Sequence, residues 1–435
     1  MRIQTKLLVL LVAVLLLLGV VGCTERPAEP TGDTVMGTGG TDGSGSTGST
    51  EKPGSSDVSG SIGELAGTIF IAGNHEWVRA SSRESEIVGE QGIYFVDGQI
   101  FSYYDISSGL KVALCSKAGC LHGDAPGRGY EDCDGYGNLH TGEDLICVWN
   151  GSVYYQHEKA GGDYLCRCSA TGTDHITLGP IGTRYTQDKQ TFYILKDGVV
   201  DGYWYYHARV NGFERDPETG VNMYRQVLEY IARVDLATGK ETILLEDREN
   251  YMMLMAVSPY GVLYTTEEEN DESNPIDIRK IALKCWNAET GKIGTLFEKS
   301  GGTVTWVGNN KVECWSYTKD HGYSFDVTTG ETRQLEGFLV YWGGGYARFV
   351  DGNGDSFISN LKTGEKLPSQ FDYKDIQLES SSELGCVLKW NIMADGGSAD
   401  DRRYTEGRYC YVAYEDLADG LQESDLLCYR TVKYG

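Results

Sequence analysis

The sequence predicts an all-β fold, a β-propeller with seven blades as the preferred count and six or eight as alternatives. Three observations lead there. Short apolar-aromatic runs are bounded by Gly, Asn and Asp, as in Gly92-Ile-Tyr-Phe-Val-Asp-Gly98, or Leu145 to Trp149 followed by Asn150-Gly151 and Ser152-Val-Tyr-Tyr155. Asn-Gly and Asp-Gly between such runs are hairpin signals. No long helical periodicity appears from about Leu65 onward. Last, a turn recurs in which a polar residue is followed by three residues and a glycine. It reads Asp105-Ile-Ser-Ser-Gly109, Asp235-Leu-Ala-Thr-Gly239, Asn287-Ala-Glu-Thr-Gly291, Asp326-Val-Thr-Thr-Gly330, Asn360-Leu-Lys-Thr-Gly364 and Asp416-Leu-Ala-Asp-Gly420, with a shortened copy at Ser169-Ala-Thr-Gly172. The first side chain can cap the turn and the glycine can supply a positive φ.

From Gly109 to Gly420 the copies recur every 52 residues or so, close to the ~40–50 residues of one propeller blade. A composition of 57 glycines, 29 tyrosines and only 9 prolines suits short strands joined by tight turns. A pair of β-sandwiches is the competing fold, but no linker-like stretch divides residues 65–435. Gly67-Thr-Ile-Phe-Ile-Ala72 is expected to close the ring by pairing with the C-terminal strand near Leu426 to Lys433.

The segments before the propeller read in order. Residues 1–22 carry Arg2 and Lys6, then an apolar run from Leu7 to Val21 broken only by Gly19. Fifteen residues fall short of the ~20 that span a bilayer, and fit the core of a secretory signal. The run ends Val20-Val21-Gly22-Cys23, which resembles the lipobox of bacterial lipoproteins. That resemblance implies cleavage between Gly22 and Cys23, and attachment of a diacylglyceryl group to the Cys23 thiol. Two buried acyl chains hold a protein at a membrane where one does not. The expected location is therefore the cell membrane, lipid-anchored, on its extracytoplasmic face. Residues 23–64 then form a Gly/Ser/Thr-rich tether, as in TGDTVMGTGGTDGSGSTGST. Such a stretch cannot bury enough surface to order itself. It spans roughly 35 Å as a coil.

The net charge is −25 and becomes −27 once residues 1–22 are removed. An acidic surface repels phosphate backbones, which excludes nucleic acid as a partner.

The densest group of metal-type side chains is Cys115-Ser-Lys-Ala-Gly-Cys120-Leu-His122 with Cys133, joined by a Gly-rich loop. Three thiols and an imidazole can form a Cys₃His site for structural zinc. In an exported protein the same thiols can form disulfides instead, or stay free. Besides Cys23 there are 11 cysteines, an odd number, so they cannot all pair. Cys147, Cys285, Cys314, Cys386, Cys410 and Cys428 lie in apolar runs and read as small buried hydrophobes. Cys166 and Cys168 alternate on one strand face, where they could pair or bind metal weakly. Residues 92–133 resemble a group of uncharacterised Gram-positive lipoproteins with Tyr-rich propellers, in which an early GIYF-x-DG hairpin precedes an LC-x4-C-x-H…C stretch. The resemblance implies the fold and the anchor, and no activity.

Asp351, Asn353 and Asp355 alternate like the start of a calcium loop, but Ser356 and Lys362 stand where the loop needs Gly and Glu. Glu267 to Glu272, EEENDE, reads as a solvated loop. The tyrosine pairs at 103–104, 154–155 and 205–206 are expected to pack one ring between blades and expose the other, a surface on which a sugar could stack. No nucleophile elbow, HExxH or phosphate loop is present. The leading expectation is an extracytoplasmic binding module for an envelope glycan, a peptide or a protein partner. A glycan hydrolase or lyase, and an accessory subunit of an envelope complex, are the alternatives.

Overall fold

β-Branched and aromatic residues dominate the runs that become strands, and each run ends where Gly, Asn or Asp lets the backbone turn. The computed structural model describes residues 72–434 apart from 74, 81–85, 98–99, 123–132, 134, 137–144, 160–161, 185–189, 216–219, 221, 269–278, 316–321, 336, 352–355, 362, 372–374, 383 and 394–403. Gly22, Cys23 and the tether lie outside the described residues, as do Asn353 and Asp355. Asp351 ends a strand, and its side chain is not described.

Seven antiparallel sheets follow one another along the chain, each built from four consecutive strands, and one of them gains a fifth from an earlier segment. They span residues 86–113, 145–181, 190–247, 250–300, 303–335, 337–367 and 376–433 and are numbered here as blades 1 to 7. First strands of successive blades contact each other from blade 3 to blade 7, and the first strand of blade 1 touches those of blades 2 and 7. The fourth strands of blades 2 and 3 touch as well, and together these contacts close a ring, a seven-bladed β-propeller.

The core is a set of layers between neighbouring blades. Phe101 and Val153 share the layer between blades 1 and 2. Tyr154 and Trp204 share the one between blades 2 and 3, and Tyr205 and Leu254 the one between blades 3 and 4. Consecutive tyrosines thus enter opposite layers: Tyr154 faces blade 3 and Tyr155 faces blade 1. The expectation of one exposed ring fails for both the 154–155 and the 205–206 pair, whose four rings are 0–5% exposed. A second strand is covered on both sheet faces, so alternation moves a ring between layers instead of into solvent. Each such ring contributes about 2–3 kcal/mol by burial.

Of the segment expected to close the ring, residues 67–71 lie outside the described residues and Ala72 alone is placed. The last blade supplies its own fourth strand, Leu427–Lys433, paired with Tyr404–Ala413. Ala72 instead donates its N–H to Val327 of blade 5, 2.8 Å away. Val78–Arg79 then pairs with Val257 and Ala256 on the first strand of blade 4. With blade 7 complete, side chains close the ring. Val88, Ile93 and Phe95 pack on Val387, Tyr409 and Tyr411, and Arg430 binds Glu86 at 2.9 Å.

The recurring turn joins third to fourth strands. In blades 1, 3, 4, 5 and 6 the Asp or Asn side chain accepts backbone N–H groups two to three residues on, and the closing glycine has φ between +65° and +75°. In blade 2 Ser169 Oγ accepts from Thr173 N–H. The seventh copy departs: Asp416 lies inside a 3-10 helix, Tyr414–Asp419. Blade 7's third strand ends at Ala413, three residues before that Asp, so the side chain is past the point where it could cap.

Antiparallel order sorts the connections onto two faces. First-to-second and third-to-fourth turns share one face; second-to-third loops and blade-to-blade connections share the other. On the first face the first-to-second turns take two or three residues. The strands that flank the long segments 114–144, 269–279 and 394–403 end on the second face.

Candidate metal centre

The longest connection runs from blade 1 to blade 2 on the long-loop face, and it holds the Cys/His group. Its two ends are fastened to blade 1. Leu114 N–H bonds Phe101 carbonyl at 2.8 Å, and Phe101 N–H bonds Gly135 carbonyl at 2.9 Å. A Cβ on Gly135 would lie 2.9 Å from Leu114 oxygen, so glycine lets the two ends pass side by side. Between them Cys120 N–H turns back to Lys117 carbonyl, and His122 adopts φ +49°. A left-handed backbone is uncommon for a residue with a side chain and persists where surroundings impose it. Here it accompanies an imidazole directed at the thiols.

Cys115, Cys120, His122 and Cys133 each place a ligand atom within 4.8 Å of all the others. His122 Nδ1 is 3.4 Å from Cys133 Sγ. A zinc–sulfur bond of ~2.3 Å gives a tetrahedron whose edges are about 3.8 Å, so the donors stand near the spacing a metal requires. The set can hold a metal ion. None of the four is in a disulfide. Cys133 is buried, and the other three are partly exposed. Burial, reinforced by hydrogen bonds that the protonated thiol gives to Cys115 and Cys120, pushes the Cys133 thiol up to about 12. That thiol is protonated at neutral pH unless a cation displaces the proton.

The remaining cysteines are placed as follows. Cys147, Cys285, Cys314 and Cys386 are buried, as expected of small hydrophobes. Cys166 and Cys168 are buried between blades 1 and 2 and unpaired with each other. Cys410 and Cys428 depart from expectation: they form a disulfide across the last two strands of blade 7. Their register was invisible in sequence, because 13 residues that include two 3-10 helices intervene between the two strands.

Two arrangements went unread in the sequence. Glu229 is fully buried, accepting from His207 Nε2 at 3.2 Å, Arg209 Nε at 2.6 Å and Met252 N–H. Burial alone would raise its carboxyl, but the His207 hydrogen bond and charge, Arg209 and the Met252 N–H outweigh it and hold it below the usual carboxylate range. The only sequence signal was the i, i+2 spacing of His207 and Arg209; Glu229 joins them through strand pairing. The second is a cleft against blade 2, lined in part by Tyr136, His157 and Lys159. Of the acidic run, Glu267 is the second-last residue of a strand, Gly261–Glu268, and is paired with Arg279 at 2.6 Å.

No family model matches the chain, and no curated protein matches it. Solved structures similar to it include an oligogalacturonate lyase in complex with manganese, at 14% identity, covering 75% of this chain and 83% of that one with a TM-score of 0.37. Another is an oligogalacturonate lyase from Vibrio parahaemolyticus, at 9% identity over 74% of this chain and 89% of that one, TM-score 0.41. A third is an acylaminoacyl peptidase from Pyrococcus horikoshii, at 8% identity over 77% of this chain and 51% of that one, TM-score 0.42. Likeness this distant carries nothing about chemistry; the propeller rests on the seven sheets themselves.

Proposed function

We propose that the protein is an exported lipoprotein, anchored through Cys23 to the extracytoplasmic face of the cell membrane, whose propeller is a binding module. The partner is an envelope glycan, a peptide or another protein. The observation that carries this reading is the sorting of connections: the first-to-second turns on one face take only two or three residues, and the longest connection, 114–144, leaves from the opposite face, and loops are where propellers present their recognition surfaces. The Cys410–Cys428 disulfide supports an exported setting, because such bonds persist in oxidising compartments. Structural zinc at Cys115, Cys120, His122 and Cys133 would order the longest of these loops. All four tetrahedral positions would be filled by side chains, leaving none for a reacting water.

The test is a binding screen of the full-length protein against envelope polysaccharides and peptides, with detection of any released product. Saturable binding without turnover is expected. Release of oligosaccharide would replace the binding reading with a hydrolase or lyase. Mass spectrometry of the mature N-terminus should find diacylglyceryl-modified Cys23; an intact Met1 or an unmodified Cys23 removes the anchor from the proposal.

A further inference from the structure

The cleft against blade 2 on its blade 1 side has a volume of about 330 Å³, far more than the ~30 Å³ of one water and at the small end of ligand pockets. Strand alternation decides what lines it. Tyr155, His157 and Lys159 share one face of the second strand of blade 2, Ser152–Lys159. Glu158 pairs with Asp163 on the opposite face, where Asp163 accepts from Gln156 at 2.7 Å. The carboxylates of this hairpin therefore point away from the cleft. Thr177 and His175 enter from the outer edge, and Tyr136 from the loop that leaves Cys133.

The donors are already oriented. Tyr155 hydroxyl and His175 Nδ1 are 2.8 Å apart, and Lys159 Nζ donates to Thr177 Oγ1. Cys166 lies beneath them; burial, opposed by Thr177 and Lys159, still raises its thiol above the ordinary value, so it adds no negative charge. Among the described lining residues there is one ammonium, two imidazoles and three hydroxyls, and no carboxylate. In a chain of net charge −25 such a concentration of donors is selective. The repulsion of distant carboxylates is screened beyond ~8 Å at physiological salt, whereas Lys159 acts at contact.

We propose that this cleft binds a small organic anion the size of a single sugar, held through its carboxylate or phosphate group by Lys159, His157 and the Tyr155–His175 pair. The site shares no residue with the candidate metal centre, and the proposal does not rest on the lipid anchor.

Calorimetric titration of the full-length protein with glucuronate, with glucose 6-phosphate and with neutral glucose tests it. Saturable binding of an acidic sugar, absent with glucose, is expected. Binding of glucuronate alone assigns a carboxylate, and of glucose 6-phosphate alone a phosphate. Lys159→Gln and His157→Gln should each weaken it about ten-fold or more, the effect of losing one charge-assisted hydrogen bond. Lys240→Gln, an exposed lysine in a blade 3 turn, should leave it unchanged. Absence of saturable binding by both acidic sugars, equal binding of glucose, or affinity indifferent to both cleft substitutions overturns the proposal.

Discussion

Cys133 is the residue on which the candidate metal centre turns. Its thiol, lifted to about 12 by burial and by Cys115 and Cys120, must lose a proton to ligate. Protons and metal therefore compete for it, and zinc affinity should fall steeply as pH drops from about 8 to 6, measured by competition with a chromogenic chelator. The purified protein should carry one zinc ion per chain, and Cys133→Ala should abolish it. Zinc-free protein with fewer titratable thiols than its cysteines outside Cys410–Cys428 would assign a disulfide there instead. The sequence left that contest open because spacing alone cannot say whether His122 joins the thiols; its left-handed backbone brings it in.

Glu229 is the residue to watch in acid. Its folded carboxyl is held below the unfolded value of about 4.3. A depressed folded value adds stability that is complete above the unfolded value and disappears as pH falls through the folded one. Urea midpoints measured downward from about pH 5 should decline in the wild type. Glu229→Gln should start lower by about 3 kcal/mol, because it strands His207 and Arg209 without their counter-charge, and should lose less on acidification.

At the scale of the element, the repeated turn offers a controlled comparison. Gly239 and Gly364 close the same turn with φ of +71° and +74°. A Cβ on Gly364 meets nothing within 4 Å, whereas on Gly239 it would stand 2.6 Å from the Leu178 side chain and 2.8 Å from Gly179 nitrogen. Gly364→Ala should therefore cost only the left-handed penalty, about 1 kcal/mol. Gly239→Ala should cost clearly more, since blade 2 backbone must also move. Thermal midpoints of the two variants check this, and equal costs would mean that the blade 2–blade 3 contact yields freely. The turn itself was legible because capping is local: Asp235, Asn287 and Asp326 bond N–H groups two and three residues away. The Asp416 copy shows where local reading stops. Its residue types fit, but the strand before it ends early.

For the molecule as a whole, closure distributes stability around the ring. Among the described residues blade 7 meets blade 1 through packed side chains and the Arg430–Glu86 pair, and its outer strand is tied to its neighbour by Cys410–Cys428. That bond links residues 18 apart, and the chain-entropy account assigns such a loop about 3 kcal/mol. Cys410→Ser with Cys428→Ser should lower the unfolding midpoint accordingly, and reductant should lower the wild type to match but leave the double variant unmoved. Agreement would place that strand within the cooperative unit.

Local chemistry, legible in the sequence by itself, determined the strand-and-turn repeat, a propeller with seven as the preferred blade count, and the Cys/His group at 115–133. Each of these depends on residues close along the chain, or on a count of repeats. Tertiary structure alone decided the rest. It directed Ala72 to blade 5 instead of blade 7 and joined Cys410 to Cys428. It buried both members of two tyrosine pairs and gathered the donors of the blade 2 cleft. The physical reason is register: which residue faces which across strands and between blades is set by the packing of the whole ring, and no single segment carries it.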